Sequence, residues 1–495
     1  MERKSGILMP LSSLPSPCGI GTLGREAYAF ADFLKASGVG YWQLLPLGPT
    51  SYGDSPYTSP STFAGNPYFI DLDLLAEDGL LLREEYENIN WGTNPRYVDY
   101  GRIYGSRYTV LQKACDRGYE RDREQVEAFI RDNERWLPDY ALFMALKRHF
   151  GMKPWTEWDD DAIRRRESRE VIEQYRSLLK DDVRLFTYIQ FLFFKQWTAL
   201  RDYIHSLGIR VIGDLPIYVA LDSADVWAEP EFFQMDDNYV PKAVSGVPPD
   251  YFCADGQLWG NPLYDYERMA RDGFGWWIRR FEGACRLYDV IRIDHFRGFE
   301  SYWAVPYGDK TARNGVWEKG PGMALVGVLR DWFHDTPIIA EDLGFLTDEV
   351  RQLLKDSGFP GMKVLEFAFD SREPGDYLPH KYKDSNCVCY VGTHDNETVQ
   401  QWRYNVDPAD LAFAVRYLGL NDEEGYHWGM IRGGMGSIAD LFVVQMQDCL
   451  GLGAEGRMNA PGTVGSNWQW RMLPGENSKE LAGRIYKYNW MFGRL

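Results

Sequence analysis

The 495-residue chain has no long apolar run. The longest, "LFTYIQFLFF" at 185–194, falls far short of the roughly 20 residues that span a bilayer. The N-terminus, "MERKSGILMPLSSLPSP", moves from a strand-like run straight into turn residues and contains no apolar signal region. Cationic charge is scarce: 54 Lys and Arg against 72 Asp and Glu leave a net charge of −18. That balance argues against nucleic acid or an anionic membrane as a partner, since both reward basic patches. Cysteine is sparse too, seven residues without paired metal-site spacing. Such usage fits a reducing compartment and a cytoplasmic protein; a plastid protein shorn of a transit peptide reads the same way. No repeat, low-complexity tract or Pro/Ser-rich linker divides the chain. No Gly-rich phosphate fingerprint opens the first helix or follows the late strands, which weakens a dinucleotide fold and disfavours a sugar-phosphate barrel. No cofactor is expected.

Aromatic residues, by contrast, are abundant: 18 Trp, 31 Tyr and 26 Phe, 15% of the chain. Many must be core, but a surplus is what a protein needs to stack rings on the apolar faces of sugars. Short apolar runs recur, each ending in polar or Gly/Pro residues: 6–14, 41–47, 209–219, 289–296, 337–344, 362–369, 388–395 and, more weakly, "TVGSNWQWR" at 463–471. Helix-like stretches such as 25–38 and 322–334 lie between them. Alternation of this kind implies parallel β/α units buried on both faces, and eight units favour a closed (β/α)8 TIM barrel, an α/β fold, occupying 1–495. The interval between the second and third runs is too long for a structureless loop. Its helical patterning predicts an inserted helical subdomain over about 75–205 on the catalytic face.

Active-site groups of a parallel barrel come from the C-terminal ends of its strands. Reading those ends in order yields Asp214 in "GDLP", Asp294 in "RIDHFRG", Glu341 in "AEDLG" and Asp395 in "GTHDN". Acids gathered at one mouth suit retaining glycoside chemistry, in which one carboxylate attacks the anomeric carbon and a second shuttles a proton. Arg292 lies two residues before Asp294 and shares its strand face, so its guanidinium is expected to keep Asp294 ionised, as a nucleophile requires. Glu341 has only Asp342 beside it, and burial among carboxylates should raise its pKa toward that of a proton shuttle. His295 and His394 are candidate donors to sugar hydroxyls.

"IRIDHFRG", "AEDLG" and "GTHDN", in that order, resemble the catalytic segments of the α-amylase superfamily, and most closely the family 77 glycoside hydrolases, which are 4-α-glucanotransferases. The resemblance extends over "SYGDSPYTSPSTFAGNPYFIDLDLL" (51–75), "GDLPIYVALDSADVW" (213–227) and "VSGVPPDYFCADGQLWGNPLYDY" (244–266). It implies that Asp294 is the nucleophile, Glu341 the general acid/base and Asp395 the carboxylate that grips sugar hydroxyls in the transition state. It also implies a donor subsite lined by Asp214, Arg292, His295 and His394 with Tyr57 as platform. The 244–266 segment would be an acceptor-side lid presenting Tyr251, Gln257 and Trp259, and Asn467 and Trp468 would reach the cleft. The substrates implied are α-1,4-glucans and maltooligosaccharides, with glucose as an acceptor. Two departures from ordinary α-amylases stand out. The third strand ends "DLPIYV", without the Asn-His pair that sits near calcium in amylases, so no metal is expected. Only residues 472–495 follow "NWQWR", too few for a C-terminal β-sandwich domain. Transfer and hydrolysis share their first step, and hydrolysis is the alternative. A non-catalytic glucan binder would have no need of all three acids.

Overall fold

The computed structural model describes residues 2–495 apart from Tyr52, 250–253, Phe345 and Pro374. Eight parallel strands form the central sheet: β1 (Lys4–Leu8), β2 (Tyr41–Gln43), β3 (Arg210–Leu215), β4 (Val290–Ile293), β5 (Ile338–Ala340), β6 (Gly361–Val364), β7 (Cys387–Tyr390) and β8 (Leu441–Gln445). Their spatial order is β6-β7-β8-β1-β2-β3-β4-β5. At the seam the Ala340 N–H donates to the Pro360 carbonyl at 2.9 Å, so the barrel is nearly closed. Helices pack against one another around the outside: Lys180–Ser206 on Arg25–Ala36, which meets Lys479–Met491, then Tyr426–Met435; and Gly275–Leu287 on Met323–Trp332, then Asp348–Ser357. Seven strands lie where the apolar runs place them. The eighth does not: 463–471 is irregular, and "LFVVQ" at 441–445 closes the barrel instead. Only the isolated bridge between Tyr97 and Trp470 pairs the 463–471 segment.

The barrel interior changes character along its axis. Tyr41, Ile212, Val290 and Val443 belong to one buried apolar cluster. Two residues further along the same strands, and so on the same inward face, stand Gln43, Asp214, Arg292 and Gln445, each at most 2% exposed. The lower barrel is thus an oil-filled plug and the upper layer a polar floor beneath the C-terminal rim. Register fixes one essential pair: Asp214 lies directly opposite Arg292 across β3 and β4. Behind β3, the outward-facing Gly213 is packed against the Tyr288 ring, which a Cβ there would meet at 2.0 Å.

Two excursions build the rim. Between β2 and β3 run the helices Tyr100–Gly118, Arg123–Asp132, Leu137–His149, Asp161–Arg164 and Arg169–Leu178, before Lys180–Ser206 returns to the outer ring. Lys180–Ser206 contains the longest apolar run, and Leu185 to Phe193 are all buried there. The same helix anchors the loop ahead of the excursion: the Gln190 amide pairs with Gly65 N–H and C=O (2.7 and 2.9 Å), and Gln196 pairs likewise with Asp71 (2.7 and 3.1 Å). The second excursion is a four-stranded antiparallel sheet in the order Gln257–Pro262, Ala243–Val247, Ser301–Pro306, Val316–Lys319. Its strands come half from the connection after β3 and half from that after β4. Between β6 and β7 no α-helix occurs among the described residues, only 3-10 turns. Downstream of β8 the described residues form helices and loops but no strand.

Candidate active site

Asp294 and Glu341 follow β4 and β5 directly, Asp395 lies five residues past the end of β7, and the three share one rim. The strand ends are tied together: Asp294 N–H donates to Leu215 C=O and Glu341 N–H to Ile293 C=O, both at 3.0 Å. His295 then adopts a left-handed backbone (φ 52°), which costs a residue with a Cβ about 1–2 kcal/mol. The turn aims its N–H at Glu341 Oε2 (2.8 Å), while Leu343 N–H donates to Oε1 (2.7 Å). Strain is spent here on fixing a carboxyl. Burial outweighs those two donors and the more distant Arg292, so the Glu341 pKa lies above the usual carboxylate range. Asp395 Oδ1 accepts from Asn459 Nδ2 at 2.6 Å and lies 3.3 Å from His394 Nε2; its side chain is 44% exposed.

Arg292 is shared rather than dedicated. Its Nη1 lies 2.7 Å from both oxygens of Asp214 and 3.1 Å from Asp294 Oδ1. The expectation that this guanidinium keeps Asp294 ionised needs correcting. Burial, then Asp214, Glu341 and Asp395, push the Asp294 pKa well up, and Arg292 works against that rise. Asp214 is the arginine's principal partner because strand register places it directly opposite. Its Oδ2 also accepts from the Tyr57 hydroxyl at 2.8 Å, and that oxygen lies 2.9 Å from His394 Nε2. A phenol has one proton to give, so His394 donates from Nε2 to Tyr57. Tyr57 and His394 stack with ring centroids 5.2 Å apart, and Trp468 packs against both. Buried at 2% exposure, His394 braces Tyr57 and Asp395 from behind.

On the opposite wall, the Trp259 indole stands edge-on to the His295 ring at 4.8 Å and is 38% exposed. Its Nε1–H donates to Gln257 Oε1 at 3.2 Å. Burial and nearby Arg297 pull the His295 pKa down to about 3, so the imidazole is neutral. Tyr251 lies outside the described residues. Asn467 is committed locally: Ala460 N–H donates to its Oδ1 (3.1 Å) and its Nδ2 donates to Thr463 C=O (2.9 Å), closing the 460–467 loop. Among the described residues, no group of three or more His, Cys, Asp or Glu is arranged to hold a metal ion.

The family model for 4-alpha-glucanotransferases, glycoside hydrolase family 77, matches residues 9–476. The chain belongs to this family. It is 49% identical over 488 residues to the 4-alpha-glucanotransferase of Clostridium butyricum, covering 98% of this chain and 100% of the relative. It is 41% identical to the chloroplastic/amyloplastic 4-alpha-glucanotransferase of Solanum tuberosum, covering 95% and 82%. A solved structure, amylomaltase from Streptococcus agalactiae in complex with acarbose, superposes with a TM-score of 0.97 at 41% identity, each chain covered in full. The rim therefore belongs to a 4-α-glucanotransferase. Within this family's fold, two residues join the rim that sequence patterning does not flag. Asn459 holds Asp395 by its side chain, and Arg457 donates from Nη2 to the Asp395 carbonyl (3.3 Å) and from Nη1 to Glu397 (3.2 Å). Both sit on an irregular loop after β8, where no periodicity distinguishes them. Among the described residues no helix is long and apolar enough to cross a membrane.

Proposed function

We propose that the enzyme transfers α-1,4-glucan segments by a two-step retaining reaction. The observation that carries this reading is an asymmetry between acids on adjacent strands: Asp294 is bonded to a guanidinium, whereas Glu341 is held by two backbone N–H groups. Asp294 attacks the anomeric carbon as Glu341 gives its proton to the departing glycosidic oxygen, and a glycosyl–Asp294 ester forms. The Arg292 guanidinium bonded to Asp294, together with the positive charge that develops on the sugar, favours the carboxylate form of Asp294 as it attacks. The 4-hydroxyl of glucose or of a maltooligosaccharide then passes its proton to Glu341 and attacks the ester, regenerating both acids. Asn459 occupies Oδ1 of Asp395 and leaves Oδ2 to accept from sugar hydroxyls as the ring flattens. Tyr57 supplies the donor platform, with Asp214 and His394 fixing its hydroxyl. Trp259 and Gln257 on the antiparallel sheet form the acceptor wall, and Trp468 closes the donor end.

The helical excursion between β2 and β3 and the strands Ala243–Val247 and Gln257–Pro262 together make the walls that exclude water, which tips the second step toward a sugar acceptor. With a long donor, the far end of the bound chain is itself an acceptor, and large rings form. The unpaired cysteines among the described residues suit a reducing compartment such as the cytoplasm.

Incubation with maltotriose tests the proposal. Glucose and longer oligosaccharides should appear at constant total reducing ends. Rising reducing ends with only shorter products would mean water is the acceptor and the enzyme hydrolyses. Intact mass of a Glu341→Gln variant after exposure to an activated glucosyl donor should show an adduct on Asp294, and turnover of maltotriose should fall by about 10²–10⁴.

A further inference from the structure

Two buried acids lie beneath the segment that carries Asp395, and the reaction as proposed uses neither. Glu366, just beyond β6, is 8% exposed; Asp448, just beyond β8, is fully buried. Oε1 of the first and Oδ2 of the second have no hydrogen-bond partner. Burying an incompletely paired acid costs more than burying an apolar side chain of the same shape, so stability alone does not account for them.

Their contacts converge on one stretch of chain. The Asn396 side chain lies beside the Glu366 carboxyl, both against Gly392. Asn396 Oδ1 in turn accepts from the Thr393 N–H and hydroxyl, both at 2.9 Å, and Thr393 Oγ1 accepts from the Asp395 N–H at 3.3 Å. A Cβ at Gly392 would stand 3.0 Å from Glu366 Oε1 and 3.0 Å from the Asn396 Cβ, so the backbone rests directly on the carboxyl. At the far end Asp448 Oδ1 accepts from Val399 N–H at 2.8 Å. The segment from Gly392 to Val399 is therefore clamped by acids rooted in both strands that flank β7.

We propose that Glu366 is a positioning residue for transfer: its carboxyl, packed under Gly392 and acting through Asn396 and Thr393, sets the turn that aims Asp395 at the sugar. The inference rests on the role given above to Asp395. Burial, followed by the charges of Asp448 and Glu397, drives the Glu366 pKa well above the usual carboxylate range, against the opposing pull of Arg457 and the Asn396 side chain. A charged Glu366 would face those two acids with Arg457 already paired to Glu397.

Steady-state kinetics on maltotriose decide the matter. Glu366→Ala should lower kcat at least tenfold while KM stays within about threefold, because a transition-state contact moves and the binding walls do not. Glu366→Gln keeps the shape and the absence of charge and should recover kcat to within about threefold of the parent enzyme. Gly392→Ala pushes on the same carboxyl from the other side and should also lower kcat, and combining it with Glu366→Ala should cost less than the two losses added. The proposal is overturned if Glu366→Ala retains full kcat, or if Glu366→Gln is as impaired as Glu366→Ala at a matching melting temperature. Should Glu366→Ala not fold, Glu366→Gln and Gly392→Ala carry the same test. Asp395→Asn, run alongside, keeps the two readings apart: if it stays active the role of Asp395 fails, whatever Glu366 does.

Discussion

At the scale of single residues, the site is a chain of shared partners: Asp294, Arg292, Asp214, Tyr57, His394, Asp395 and Asn459 each touch the next. Tyr57 is its midpoint. Tyr57→Phe removes one hydroxyl and takes a hydrogen bond from each of two buried partners, Asp214 and His394, a cost of about 1–3 kcal/mol. Maltotriose kinetics should show kcat/KM down roughly 10- to 100-fold, with the thermal midpoint lowered by a few degrees. Asp448 supports a second expectation, this time about stability. Burial raises its pKa from the ordinary value to about 7. The folded state then binds more protons than the unfolded one between about pH 4 and 7, and stability falls across that window as pH rises. Asp448→Asn, which keeps an acceptor for Val399, should gain on the parent enzyme in thermal melts as pH climbs from 4.5 to 8; a constant difference would refute the assignment. Asp294, Glu341 and Asp395 were legible in the sequence because each follows an apolar run, and Asp214 because it sits near the end of one, a layer lower in the floor. The division of Arg292 between Asp214 and Asp294 was not, since it depends on the register of β3 against β4, which no single strand encodes.

At the scale of elements, the helix Lys180–Ser206 serves both the outer ring and the loop that presents Tyr57. Gln190 satisfies both backbone groups of Gly65 in a space where the Phe193 ring leaves no room for a Cβ (2.0 Å). Gln190→Ala strips a buried N–H and a buried C=O of their partners and should cost about 2–4 kcal/mol. Urea unfolding would measure that loss, and a rise in KM for maltotriose would show the loop relaxing with it. Elements were easiest to read where apolar runs ended in punctuation. The eighth strand escaped because "LFVVQ" is short and wholly buried, and a run of that kind is indistinguishable from a piece of buried helix by periodicity. The rival segment at 463–471 carries aromatic residues that suggest a strand, yet they pack between loops.

At the scale of the whole molecule, the two ends of the chain are joined by guanidinium groups. Arg494 is fully buried and donates to the carbonyls of Lys4, Met435 and Ala439 at 2.9–3.0 Å, and to Ser437 and Asp440 at 3.2–3.3 Å. Arg3 reaches Ser437 and Ala439 from the other side, at 3.0 and 3.2 Å. The turn into β8 therefore has its carbonyls satisfied by side chains from both termini, and β8 is hydrogen-bonded to β1. Arg494→Ala removes five hydrogen bonds around the turn into β8, leaving those that Arg3 supplies to Met435, Ser437 and Ala439 and that the Lys4 N–H supplies to Asp440. It should destabilise the fold by about 3–5 kcal/mol, read as an earlier denaturation midpoint, while the KM of the surviving native fraction stays unchanged. The barrel as a whole was legible from alternating runs. This closure was not, because it joins residues more than 400 positions apart.

The antiparallel sheet above the rim has a consequence for how such enzymes can be recombined. Trp303 faces Gly246 on one side and Trp317 on the other, so strands drawn from two separate connections meet as a single ladder. A chimera that imports 243–262 from a relative while keeping the native 301–319 would mate unmatched edges in the sheet that carries Trp259 against His295. The two segments form one heritable cassette: exchanged together they offer a route to new acceptor preference, and exchanged singly they spoil the enzyme.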